Sequence, residues 1–141
     1  MLLPDINILI YAFRENAPDH QAFRNWLEEV IASETTFGLC DPVLSGFLRI
    51  LTHPRIFDPP VPLENALEFI ESLRSQPNCV FLMPGTRHWT IFTRLCRETN
   101  ARGNLISDAY LAALAIESGS EFISTDRDFS RFSGLRWRRP F

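Results

Sequence analysis

The sequence predicts an α/β protein, a three-layer α/β/α sandwich around a mostly parallel central sheet. Short apolar segments of strand length alternate along the whole chain with longer segments of helical character, and this alternation is typical of such a fold. The length of 141 residues and the apolar fraction of 45% fit one domain with a substantial core. We therefore expect a single domain over residues 1–141.

Five short segments rich in apolar residues are the strand candidates. They lie at residues 2–4, 35–39, 79–83, 121–124 and 134–137. Six helices are predicted around them, at residues 6–13, 20–32, 43–51, 63–72, 87–99 and 105–118. Residues that favour turns separate several of these elements, among them Pro59, Pro60, Pro62 and Pro84-Gly85.

Three of the helices carry distinct signals. Residues 20–32 show the spacing of an amphipathic helix, with one apolar face made by Phe23, Trp26, Leu27 and Val30. Residues 105–118 are apolar on nearly every side and stop at Gly119, which predicts a buried helix. Before the third helix, Asp41 is predicted as the N-cap and Pro42 as the first helical residue.

The charged residues exclude several classes of protein. The formal net charge is −3, so the chain lacks the strongly basic character of proteins that coat nucleic acid. All 14 basic residues are Arg. Without a Lys the chain cannot supply the lysine of a P-loop, of a Schiff-base enzyme or of a protein kinase. A divalent cation bound among the aspartates of residues 97–141 would make that third of the chain locally positive.

The cysteines and the N-terminus indicate a reducing compartment. Cys40, Cys79 and Cys96 are odd in number and have no CxxC spacing, so neither a disulfide framework nor a zinc knuckle is predicted. We interpret them as small apolar residues of the interior. The sequence shows no signal peptide and no apolar segment of membrane-spanning length. We expect a cytoplasmic protein that does not enter a membrane.

Four aspartates are the candidate functional residues. Asp5 directly follows the first strand and Asp126 directly follows the fourth. Ligands bind beyond the carboxyl ends of the strands in open parallel sheets, so both side chains should lie at the same edge. Asp108 is predicted in the first turn of the helix at 105–118, after a loop that can bring it to that edge. Asp128 is two residues beyond Asp126, within reach of the same pocket.

Clustered carboxylates raise one another's pKa values, and a hard cation such as Mg²⁺ or Mn²⁺ removes that penalty. Such an ion can activate water and stabilise the charge that develops on a phosphate. Asn7, Ser124 and Thr125 are close enough in sequence to support the carboxylates. The alternative is that each aspartate merely caps a helix or turn, but capping alone does not require three of them at one edge.

Several ordered pieces of the sequence resemble the PIN-domain family, and specifically the VapC-type toxins of bacterial toxin–antitoxin pairs. The resemblance covers nearly the whole chain. The matching segments are residues 3–9, Phe47-Leu48-Arg49-Ile50-Leu51-Thr52, residues 102–109, Ile123-Ser124-Thr125-Asp126-Arg127-Asp128-Phe129 and Gly134-Leu135-Arg136-Trp137.

This resemblance implies a PIN-like fold, a homodimer, a VapB-type antitoxin and Mg²⁺- or Mn²⁺-dependent endonuclease cleavage of RNA. It carries Asp5, Asp108 and Asp126 over as metal ligands and Asp128 as a further catalytic acid. Asn7 and Thr125 carry over as supporting residues. Hydrolysis of RNA as the toxin of such a pair is therefore the expected function.

One position departs from the family pattern. Many PIN domains have a Glu on the third helix where this chain has Gly46. The departure weakens the expectation of two firmly held ions. It also keeps open an alternative function, a catalytically weak or inactive PIN-like module that binds RNA or antitoxin.

The remaining polar and aromatic residues have mixed interpretations. Arg102 and Arg127 are candidate contacts for RNA or antitoxin, because a guanidinium suits phosphate. We expect Arg49 to form an ion pair inside the fold, and His53 and His88 to be structural. The tryptophans are expected in the core rather than as platforms for bases: Trp26, Trp89 and Trp137.

Overall fold

A computed structural model describes all of residues 1–141. Five strands and six α-helices follow one another as the sequence predicts. The strands are β1 (Leu2–Pro4), β2 (Phe37–Cys40), β3 (Cys79–Leu82), β4 (Glu121–Ile123) and β5 (Trp137–Arg138). The helices are α1 (Ile6–Phe13), α2 (His20–Ala32), α3 (Asp41–Leu51), α4 (Leu63–Arg74), α5 (His88–Thr99) and α6 (Asn104–Ser118). A short 3₁₀ turn follows Asp126 at Arg127–Arg131.

The five strands form one sheet in the order β3-β2-β1-β4-β5, and every pairing is parallel. The chain moves outward from β1 to β3 and then crosses back to β4. Right-handed crossovers therefore place α1 to α4 on one face and α5 and α6 on the other. The strand order reverses between β1 and β4, so a topological switch point lies between the ends of these two strands.

The core fills the space between the sheet and both helical layers. The inward side chains of the central strands are fully buried, among them Leu3, Phe37, Leu39, Phe122 and Ile123. Helix α6 is buried along much of its length, as its sequence predicts. The central strands are thereby packed on both faces. This packing also fixes the positions of the residues that directly follow β1 and β4.

Three predictions about individual residues outside the aspartate cluster are wrong. Asp41 does not cap α3, because strand β2 runs on to Cys40, whose extended backbone makes it the N-cap. Trp89 is 70% exposed rather than part of the core. Arg49 is exposed and takes part in none of the four ion pairs of the structure.

The other structural expectations hold more closely. Trp26 is buried, and the half-buried Trp137 donates its Nε1–H to the Ser124 carbonyl over 3.2 Å. The buried His88 has its Nε2 3.0 Å from the Tyr110 carbonyl. Only Cys40 of the three cysteines is fully buried. None of the helices combines the length and the apolar character that crossing a bilayer requires.

Candidate functional site

Asp5 lies at the end of β1 and is held from several sides. Its backbone N–H donates to the Ile123 carbonyl over 2.9 Å, which extends the β1–β4 pairing by one residue. Its Oδ1 accepts the Ile6 N–H at 2.7 Å and caps helix α1. Its Oδ2 accepts the Ser124 hydroxyl at 2.7 Å and the Asn7 Nδ2–H at 3.2 Å. Asp5 therefore caps α1 through Oδ1, and its Oδ2 is hydrogen-bonded to Ser124 at the end of β4.

Ser124 links the ends of β1 and β4. Its side chain is fully buried, and its hydroxyl donates to Asp5. The same oxygen accepts the backbone N–H of Asp126 at 3.0 Å and the Asn7 Nδ2–H at 3.3 Å. One hydroxyl thus sets the separation between two of the predicted carboxylates. The sequence placed Ser124 beside the site as a supporting residue, and the structure gives it this linking position.

Asp126 and Asp128 follow β4 on the 3₁₀ turn. The Oδ1 of Asp126 accepts the Asp128 N–H at 2.9 Å, so Asp126 caps the turn as the alternative interpretation expected. Asp126 is half-buried, whereas Asp128 is exposed. The turn therefore holds Asp126 near the switch point and leaves Asp128 at the rim.

Asp108 approaches the same edge from helix α6. It is in the second turn rather than the predicted first turn, because the helix already begins at Asn104. Gly103 precedes the helix with φ +55° and ψ −127°, a conformation open to glycine alone. The half-buried Asp108 side chain makes no hydrogen bond to the protein and is not a cap.

The pKa values show that the four carboxylates share one region. Burial, together with the neighbouring charges of Asp126, Asp5 and Asp128, raises the pKa of Asp108 from 3.8 to about 6. Burial also raises the pKa of Asp5, against the hydrogen bonds from Ser124 and Ile6 that lower it. None of the four takes part in an ion pair with an Arg. The cluster carries uncompensated negative charge, which a cation would neutralise.

The chemistry of these donors fits a hard cation. All of them are oxygens, which suit Mg²⁺ or Mn²⁺ and do not suit a soft metal. The buried Oδ1 of Asn7, beside Asp5, has no hydrogen-bond partner and is a further oxygen at the site. In this conformation no three acidic, His or Cys side chains surround a common point at ligand distance. A shared ion would therefore require rotation of side chains, for which the unbonded Asp108 is free.

The other predicted residues lie around this cluster with fewer constraints. Thr125 is half-buried between Ser124 and Asp126, and its hydroxyl has no partner. Arg102 and Arg127 are exposed and unpaired, one before α6 and the other on the 3₁₀ turn. The geometry is compatible with contacts to a ligand at both positions, and their roles stay predictions.

A groove of about 380 Å³ adjoins the carboxylates. It lies between α1 and α3 on one side and α5 and α6 on the other, and it includes Ile6 and Ser107, the chain neighbours of Asp5 and Asp108. Sequence reasoning missed this groove and its aromatic wall of Phe92 and Tyr110. The only signal was Tyr110, an aromatic residue three positions after Ser107 on α6.

Gly46 forms part of the groove and is itself buried. A Cβ on this residue would lie 2.5 Å from the Cδ1 atom of Ile6. A larger side chain therefore requires Ile6 to move, and Ile6 directly follows Asp5. The absence of an acid at position 46 is thus coupled to the packing beside the site.

Comparisons with known proteins agree with this architecture. The family model described as "PIN domain" matches residues 2–135. Ribonuclease VapC43 of Mycobacterium tuberculosis is 41% identical over 140 residues, covering 99% of this chain and 95% of that protein. Ribonuclease VapC25 of the same organism is 39% identical over 140 residues, with 99% of both chains covered.

Solved structures with lower identity share the fold. A chain of VapBC2 from Rickettsia felis, bound to a DNA fragment from its promoter, gives a TM-score of 0.71 at 18% identity. The match covers 98% of this chain and 97% of that one. VapC20 of Mycobacterium tuberculosis, a toxin that cleaves the sarcin–ricin loop, gives 0.66 at 14% identity, covering 96% and 99%.

Proposed function

The chain belongs to the VapC group of the PIN-domain family, and we propose that it is an endoribonuclease, the toxin of a toxin–antitoxin pair. In this proposal Asp5, Asp108 and Asp126 hold a Mg²⁺ or Mn²⁺ ion, and Asp128 is a further acid at the rim. The observation that carries it is the convergence of four carboxylates without an ion-pair partner at the switch point of the sheet. Capping accounts for Asp5 and Asp126 but not for Asp108.

Each residue of the candidate site has a separate role in the proposed hydrolysis. When bound, the divalent ion supplies an activated water and neutralises charge that develops on the phosphate. Ser124 and the α1 N-terminus fix Asp5, and the 3₁₀ turn fixes Asp126. Asp108 completes the set from the opposite helical layer. The attacking water forms the new P–O bond and gives its proton to a carboxylate, while the bond to the leaving ribose oxygen breaks and that oxygen takes up a proton from solvent.

The relatives support a protein partner as well as a substrate. Structures of the same fold were solved as VapBC complexes, including one bound to promoter DNA. We propose a VapB-type antitoxin, a homodimer and a cytoplasmic location for this chain. Phe81 on the edge strand β3 and Met83 just after it expose large apolar side chains beside each other, which supports a partner surface at this edge.

A second candidate is a PIN-like module that binds RNA or antitoxin with little or no turnover. Gly46 favours it, because position 46 of α3 carries no acid and Ile6 occupies the adjoining space. The two functions differ in one property. Only the nuclease needs a cation at the carboxylates.

The experiment is cleavage of single-stranded RNA by the purified protein with Mn²⁺ or Mg²⁺. We expect cleavage by the wild type and none by Asp5→Asn, which keeps the shape of the side chain but loses its charge. Asp19→Asn, which changes an exposed aspartate before α2, is the matched control and should cleave normally. Equal cleavage by Asp5→Asn would exclude the metal site. Absence of both cleavage and Mn²⁺ binding in the wild type would favour the binding module.

A further inference from the structure

The groove beside the carboxylates has a chemical character that the metal site does not explain. Two of the residues that line it, Ile6 and Ser107, are the chain neighbours of Asp5 and Asp108. Its volume of about 380 Å³ lies within the range of small-ligand sites. Half of the residues that line it are hydrophobic. The polar remainder includes two exposed serines, Ser45 and Ser107, whose hydroxyls have no hydrogen-bond partner in the protein.

Two aromatic rings form one wall of the groove. Phe92 on α5 and Tyr110 on α6 meet edge to face, with ring centroids 5.7 Å apart and an angle of 71° between the planes. Both side chains are only partly buried. Trp89, 70% exposed, continues this aromatic surface with its ring centroid 5.6 Å from that of Phe92. Each of the two rings therefore leaves part of its surface open to a ligand in the groove.

Arg49 is the one charged side chain that lines the groove. It is exposed, has no ion pair and donates no hydrogen bond to the protein. Gly46, one turn earlier on α3, adds neither a charge nor a side chain at this point. A guanidinium without a carboxylate partner in a groove is suited to phosphate, which it can bind through two parallel hydrogen bonds.

We propose that this groove holds a nucleotide next to the scissile phosphate, with Arg49 on a backbone phosphate and the Phe92–Tyr110 wall against an unstacked base. The inference rests on the proposed function, because it takes RNA as the substrate. Without a cation the four carboxylates repel a phosphate, so an attractive contact beside them helps to hold the strand. Unpaired bases stack on aromatic rings with little regard to sequence.

The test measures the binding of a short, fluorescently labelled single-stranded RNA of randomised sequence. Binding is measured by fluorescence anisotropy, in EDTA so that no cleavage occurs. Arg49→Gln should weaken binding by about tenfold and lower the dependence of log K on log salt by about one phosphate contact. Phe92→Leu should also weaken binding, because it keeps an apolar side chain but removes the ring. Arg49→Lys should fall between wild type and Arg49→Gln.

Arg55→Gln is the matched control, since Arg55 is also exposed and unpaired but does not line the groove. It measures the general effect of losing one positive charge. Arg49→Gln within about threefold of Arg55→Gln would overturn the proposal. A changed oligomeric state in Arg49→Gln or Phe92→Leu, with unchanged RNA affinity, would also overturn it and would make the groove a contact between copies of the chain.

The result of this binding test can be distinguished from the result of the cleavage test of the proposed function. RNA binding that depends on Arg49, in a protein that never cleaves with Mn²⁺, supports the groove and excludes the nuclease. Cleavage that Asp5→Asn abolishes, with RNA binding indifferent to Arg49, supports the nuclease and excludes the groove. Melting temperatures of all variants show whether each compared protein is folded.

Discussion

Asp5 and Asp108 reach the same edge of the sheet from opposite helical layers, and the protein holds them very differently. Asp5 is buried, and its two oxygens accept three hydrogen bonds, from Ile6, Asn7 and Ser124. Asp108 is half-buried and accepts none. One half of the site is therefore fixed by folding, while the other half keeps an unpaired charge that only a ligand can satisfy.

The difference indicates which residues belong to the fold and which belong to the function. Burial raises the pKa of Asp5 as well, but its hydrogen bonds from Ile6 and Ser124 offset part of that cost even without a ligand. A carboxylate that burial and neighbouring charges keep at a raised pKa destabilises the folded protein when it is ionised. Functional sites commonly carry such a cost, which a bound cation would offset.

The largest expected effect is on RNA cleavage, and it should distinguish the buried Asp5 from the exposed Asp128. Asp5→Asn should lower RNA cleavage by about a thousandfold or more, because a charged ligand at the centre of the site is lost. Asp128→Asn should lower it by about tenfold or less, because Asp128 lies exposed at the rim. Initial rates with Mn²⁺ on one RNA check both values. A larger loss of cleavage rate in Asp128→Asn than in Asp5→Asn would contradict this prediction.

The next effect concerns the link between the strand ends. Ser124→Ala should lower the free energy of unfolding by about 2 kcal/mol, because it leaves the buried Asp5 Oδ2 and the Asp126 N–H without that partner. Urea denaturation measures this value. Ser130→Ala is the control, since Ser130 is exposed and bonds only the Arg127 carbonyl. Equal losses in the two variants would show that Ser124 does not hold the site together.

A smaller effect of opposite sign is expected at the unbonded residue. Asp108→Asn should stabilise the metal-free protein at neutral pH by about 1 kcal/mol, a figure already reduced for the solvent exposure of the side chain. Its amide removes the charge that burial and Asp126, Asp5 and Asp128 disfavour. Denaturation in EDTA checks the sign. Destabilisation by a similar amount would mean that the ionised Asp108 has a favourable partner in the fold.

The same residue gives the smallest effect, a dependence on pH. The pKa of Asp108 is about 6 when folded and 3.8 ordinarily, so the unfolded chain ionises first as pH rises. The destabilisation is absent below the lower value and complete above the higher one. The stability of the wild type should therefore fall relative to that of Asp108→Asn between about pH 4 and pH 6. Parallel curves over this window would contradict the assigned pKa.

Much of the fold and half of the site follow from local sequence patterns. Asp5 and Asp126 are placed correctly because a residue directly after a buried parallel strand has little freedom of position. The predicted start of α6 is one residue late, which moves Asp108 from the first turn to the second, because that start depends on the conformation of Gly103, which residue patterns do not specify. Features that depend on how distant helices pack, such as the exposure of Trp89 and the groove beside Arg49, could not be predicted.

The central claim is that the fixed and the unbonded carboxylates together hold a divalent ion. Calorimetric titration with Mn²⁺ tests it most directly, on the wild type and on Asp108→Asn, with Asp19→Asn as the control. We predict saturable binding to the wild type and to the control, and binding weakened by about tenfold or more in Asp108→Asn. Absence of binding to the wild type, or equal affinity in Asp108→Asn, would contradict the account.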